Sequence, residues 1–87
     1  MAPRSEAHAA YGHALRHIRT ERGLSQERVA HLADLDRSYV SGIERGERNP
    51  SLANILKLTA VLGVNVSELA ARAEELMSEG RGRTETI

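Results

Sequence analysis

Apolar residues recur along this chain at helical spacing in five separate runs, each bounded by a capping or turn residue. The first run puts Tyr11, Ala14, Leu15 and Ile18 on one face of a helix that begins at Ser5 or Glu6 and reaches Arg22. Gly23 then stands as the left-handed C-cap residue, with Leu24 packing back on the last turn. Ser25 caps a second helix, Gln26 to Ala33, whose inner side is Val29, Ala30 and Ala33. Asp34 falls where the chain must turn through positive φ, a conformation Asp tolerates better than most residues, and Leu35 drops into the core behind it. Asp36 caps a third helix, Arg37 to Glu44, with Val40 and Ile43 inward. Ser51 caps a fourth, Leu52 to Leu62, with Leu52, Ile55, Leu56, Thr59 and Leu62 as its expected inner face and Gly63 at its end. Val64 and Val66 fill the next link. Ser67 caps a fifth helix, Glu68 to Glu79, with the stripe Leu69, Ala73, Leu76 and Met77. Gly80 closes it. Residues 1–5 read as a loose arm and 80–87 as a disordered tail, leaving residues 6–79 as one all-α domain.

The second and third helices carry the informative pattern. Each is only about two turns long, too short to recover the cost of nucleation alone, so both must be held by their neighbours. A four-residue turn joins them, and small Ala30 lies where they would cross. The third helix leaves Arg37, Ser38, Tyr39, Ser41 and Gly42 facing outward. Donors and hydroxyls with little bulk, on a helix presented by a tight turn, form the pattern of a helix-turn-helix reading DNA.

Composition narrows the alternatives. The 87 residues include no Phe, no Trp and two Tyr, so the core must be aliphatic and near the lower size limit for independent folding. Cysteine is absent, which excludes disulfides and thiolate metal sites. His13 and His17 lie four apart, but a pair with no third ligand in view falls short of a zinc site, so no metal or other cofactor is expected. No apolar run approaches the roughly 18 residues of a membrane helix, and no apolar signal segment opens the chain, so a cytoplasmic protein is the expectation. Twelve basic and twelve acidic residues cancel. DNA affinity must then come from where a few arginines point and not from bulk attraction. No nucleophile–base pair, phosphate-binding glycine loop or pair of convergent carboxylates suggests an enzyme.

With these residues in view, positions 11–70 resemble the phage-repressor (Cro/cI, XRE) class of helix-turn-helix domains. The likeness is carried by LSQERVA, then LDRSYVSGIERGERNPSL, then LGVNVSEL, in that order and spacing. Within the class, DRSYVSGIERGERN is most similar to the controller proteins of restriction–modification systems, small dimeric regulators that bind their own promoter region. The resemblance implies a five-helix Cro/cI-like fold with Arg37 reaching base edges, a role that suits the bidentate match of guanidinium to guanine. It assigns hydroxyl contacts to Ser38 and Tyr39, close approach to the groove to Gly42, and loop contacts to Arg48 and Asn49. Gln26, Ser41 and Arg45 fit phosphate-positioning roles. Tyr39 could equally be half-buried core in a chain so poor in aromatics.

Two further expectations concern assembly. Glu44 closes its helix where the macrodipole disfavours a negative charge, and relatives pair the residues matching Arg19 and Glu44 in a mostly buried ion pair. One recognition helix reads only a few base pairs, which favours a homodimer on a two-fold operator. Leu69, Ala73, Leu76 and Met77 on the fifth helix are the expected contact, Leu69 packing chiefly inside the monomer. No small-molecule effector is expected. The alternative function is an antitoxin that binds both DNA and a toxin protein.

Overall fold

The computed structural model describes residues 6–85, with side chains over residues 6–79. Five helices follow one another: α1 Glu6–Glu21, α2 Gln26–Ala33, α3 Arg37–Glu44, α4 Leu52–Leu62 and α5 Val66–Glu85. The expected arm at residues 1–5 lies outside the described residues. The helix ends follow from local chemistry. Ser25 and Ser51 accept hydrogen bonds from the backbone N–H groups of Arg28 (3.0 Å) and Asn54 (3.1 Å). Beyond α1, Gly23 has φ +71. Its N–H donates to Thr20 O and that of Leu24 to Arg19 O, at 3.0 and 3.2 Å, the paired closure that an apolar residue after the glycine stabilises.

The core is aliphatic as expected. Ala14, Leu15 and Ile18 of α1 meet Val29 and Ala30 of α2, Val40 and Ile43 of α3, Leu58 and Leu62 of α4, and Leu69 and Ala73 of α5. α1 packs against both α3 and α5, while α2 rests on α3 and α4. At the crossing of α1 with α3 the backbones almost touch. A Cβ on Gly12 would fall 2.2 Å from the Ile43 carbonyl oxygen and 2.8 Å from that of Glu44. Backbone cannot retreat as a flexible side chain can. Gly12→Ala is therefore expected to cost about 2 kcal/mol or more from overpacking. In a domain of this size that lowers the melting midpoint by about 10 °C, readable by circular dichroism.

Two elements differ from expectation. On α4 the buried stripe is Leu58, Thr59 and Leu62 with Ile55 half-buried, while Leu52 and Leu56 are 67% and 50% exposed. The stripe through Ile55, Leu58, Thr59 and Leu62 has the same i, i+3, i+4, i+7 spacing as one begun at Leu52, and the neighbouring helices cover only the later one. On α5 the cap is Asn65 and not Ser67. Glu68 N–H donates to Asn65 Oδ1 at 2.8 Å, and the Glu68 carboxylate accepts from Asn65 N–H at 3.4 Å, a reciprocal capping box. The helix then continues through Gly80 to Glu85, where an end and a disordered tail were expected. Gly80 is followed by Arg81, which lacks the apolar side chain that folds Leu24 back after Gly23. Residues 86–87 lie outside the described residues. Among the described residues no single helix is long and apolar enough to cross a membrane.

Candidate nucleic-acid interface

The turn between α2 and α3 is built on Asp34, at φ 57 and ψ 47. Its N–H caps α2 by reaching the carbonyls of Ala30 and His31, and Leu35 N–H donates to Ala30 O at 2.8 Å. Half-buried Leu35 packs on the core, as expected. Buried Val40 and Ile43 hold the back of α3, so Arg37 and Ser38 stand exposed on its first turn. Asp36 occupies the N-cap position, but its side chain bonds no backbone N–H of the helix. Its Oδ2 instead accepts the Ser38 hydroxyl at 2.5 Å.

Tyr39 is half-buried against the core, and its phenolic oxygen accepts from Asn54 Nδ2 at 3.1 Å. Asn54, on the first turn of α4, was not singled out from the sequence. The signal available was a half-buried phenol in need of a polar partner. Ser41 is half-buried and accepts from Arg45 Nη1. The other edge of the Arg45 guanidinium forks onto Glu47, from Nε to Oε2 at 3.1 Å and from Nη2 to Oε1 at 3.2 Å. This pairing holds the Glu47 carboxyl below the ordinary carboxylate range. Arg45 must therefore exchange an internal carboxylate for any phosphate it takes.

Gly42 does not line the outward face. It is buried under Arg48, whose Cγ would lie 2.5 Å from a Cβ at that position. The loop after α3 folds back on it, with Glu47 and Arg48 N–H both donating to Gly42 O at 2.9 and 3.2 Å. Its role is to seat the stem of Arg48, whose side chain is exposed beside exposed Asn49. Gln26 also departs from expectation. Its Nε2 donates to Glu44 Oε1 at 2.9 Å, so the amide is drawn into the α1–α3 network and away from a purely phosphate-facing role.

That network is the expected ion pair. Arg19 Nε and Nη2 donate to Glu44 Oε2 and Oε1 at 2.6 and 3.0 Å, while Nη1 donates to Leu24 O at 2.7 Å. The two side chains are 11% and 4% exposed. On α5, Leu69 and Ala73 are 1% and 0% exposed. Both are consumed inside the monomer: Leu69 packs there as expected, while Ala73, expected to meet a partner, does not reach the surface. Leu76 and Met77 are half-buried beside Ala9, Ala10 and His13 of α1. His13 and His17 are exposed, and among the described residues no three His, Asp or Glu side chains gather as metal ligands.

An exposed arginine and hydroxyl on a short helix, backed by aliphatic residues and flanked by a second basic loop, can probe a major groove. A helix-turn-helix family model matches residues 15–69. The chain is 47% identical over 66 residues to control protein C.MunI of Mycoplasma sp, covering 75% of this chain and 89% of that one. The structure is similar to the restriction-modification controller protein C.AhdI from Aeromonas hydrophila, with TM-score 0.69 and 56% identity, covering 70% of this chain and 92% of that one. The clp gene regulator ClgR from Corynebacterium glutamicum superposes with TM-score 0.90 over 97% of this chain and 89% of its own, at 24% identity, a likeness of fold.

Proposed function

This chain belongs to the helix-turn-helix family of DNA-binding transcription regulators, and we propose that it acts as a homodimer on an operator of two-fold symmetry, as a restriction–modification controller. The observation that carries this reading is the exposure of Arg37 and Ser38 on α3 while Val40 and Ile43 anchor the helix from behind. Arg37 takes the base-reading role. Arg45, Arg48, Asn49 and Ser41 set register on the phosphates, and Tyr39 is steadied by Asn54. No small-molecule effector enters this reading, so protein concentration sets occupancy.

Leu52 and Leu56 lie one turn apart on α4 and carry more uncovered apolar surface than half-buried Leu76 and Met77. The dimer contact we propose is centred on that α4 ridge, with Leu76 and Met77 as the competing surface. The decisive measurement is selection of duplexes from a randomised pool by the purified chain. A two-fold pair of half-sites about 34 Å apart, or a multiple of it, supports the proposal. A single unrepeated site rejects the dimer. Leu56→Glu is expected to reduce the sedimenting species to the 9.5 kDa monomer. A dimer that survives Leu56→Glu but not Leu76→Glu moves the contact to α5.

A further inference from the structure

The first turn of α3 presents hydrogen-bond acceptors as well as the Arg37 donors. Asp36 is exposed at the N-cap, and its side chain is not used to cap the helix. The Ser38 hydroxyl lies 2.5 Å from Asp36 Oδ2. A carboxylate can only accept, so the single hydroxyl proton of Ser38 points at Asp36. What Ser38 then offers to an incoming ligand is lone pairs. The hydroxyl is thus pre-set as an acceptor, although Ser elsewhere rotates to suit either partner.

Phosphate oxygens and guanine O6 and N7 are themselves acceptors, and an acceptor pair gains nothing from them. In the major groove the donors are the exocyclic amino groups, N4 of cytosine and N6 of adenine. We propose that Asp36, with Ser38 oriented by it, is a specificity-determining pair that recognises an exocyclic amino group beside the base read by Arg37. The inference rests on the reading of α3 as the recognition helix. It adds a selection against misplaced DNA: a duplex that brings phosphate to the pair meets repulsion, while one that brings an amino group forms a charge-assisted bond. A neutral chain reading DNA through few contacts gains specificity from such a built-in refusal.

The test uses the full chain and the duplex that it selects from a randomised pool. Positions in that duplex are found by their loss in the pool selected by Arg37→Ala. At base pairs next to these, cytosine is replaced by 2-pyrimidinone, or adenine by purine, which deletes the amino group alone. The wild-type chain is expected to bind the analogue about ten-fold more weakly at one such position per half-site. Asp36→Ala is expected to reduce that discrimination to about two-fold or less and to bind a random duplex more tightly than wild type does. Asp36→Gly, which keeps a favourable N-cap, guards against a folding defect. Equal discrimination by wild type and both variants, or none by wild type at any adjacent position, overturns the proposal. Should Arg37→Ala select the same sequence as wild type, the recognition-helix reading fails with it, an outcome distinct from failure of Asp36 alone.

Discussion

Arg37→Ala is expected to weaken binding to the selected duplex about thirty-fold or more while leaving helical content and the melting midpoint unchanged. The Arg37 side chain is exposed and has no hydrogen bond or ion pair among the described residues, so the fold does not depend on it. A bidentate arginine–guanine contact discriminates by about 1–3 kcal/mol. Two subunits on a two-fold site double that, to about 2–6 kcal/mol, which is a loss of about thirty-fold or more and comparable to much of the gap between specific and non-specific binding. Arg37→Lys separates charge from geometry. It keeps the positive charge and so most of the random-duplex affinity, but a point charge cannot replace the planar fork. Fluorescence anisotropy with the selected duplex and with a random one reads both quantities. A variant that prefers the selected duplex as strongly as wild type does, or one that unfolds, places Arg37 outside the interface.

The fold was legible where a residue's local use was backed by the residues beside it. Ser25 and Ser51 marked helix starts because their side-chain oxygens meet free N–H groups of a first turn, and Gly23 marked an end because an apolar residue follows it. Asp34 took up the positive φ of the turn, whereas Ser67 and Gly80 are the same residue types as those caps and end no helix. The sequence was ambiguous where two solutions share a pattern. α4 is so rich in Leu that stripes begun at Leu52 or at Ile55 fit equally, and only the positions of its neighbours choose between them. Gly42 showed a second kind of ambiguity. Absence of a side chain signals close approach but not what approaches, and the partner is the stem of Arg48. The site residues Arg37, Ser38 and Arg48 could be read from exposure on a helix or loop. Gln26 and Asn54 could not, because their partners Glu44 and Tyr39 lie 18 and 15 residues away in sequence.

Glu44→Ala is expected to be the most destabilising of the single substitutions considered. The carboxylate is 4% exposed and accepts from both Arg19 and Gln26, tying the end of α3 to α1 and to the start of α2. Its loss leaves an 11% exposed guanidinium without its carboxylate partner, which costs about 3–5 kcal/mol. Total stability for a domain is about 5–15 kcal/mol, and a chain of this size belongs near the lower end. Urea denaturation should therefore show a large fall in midpoint at unchanged slope. The companion variant is Arg19→Met with Glu44→Leu, which removes both charges and fills the space. Recovery of most of the lost stability in the double variant identifies the single-variant cost as that of a stranded cation. A cost below about 1 kcal/mol for Glu44→Ala would instead put the pair in the class of solvent-screened surface bridges. Because α3 hangs between this pair and the turn at Asp34, the double variant also asks whether charge is needed to orient the recognition helix. Full stability with weakened DNA binding would assign Arg19 and Glu44 to its placement, since apolar side chains can restore packing without restoring four directional hydrogen bonds.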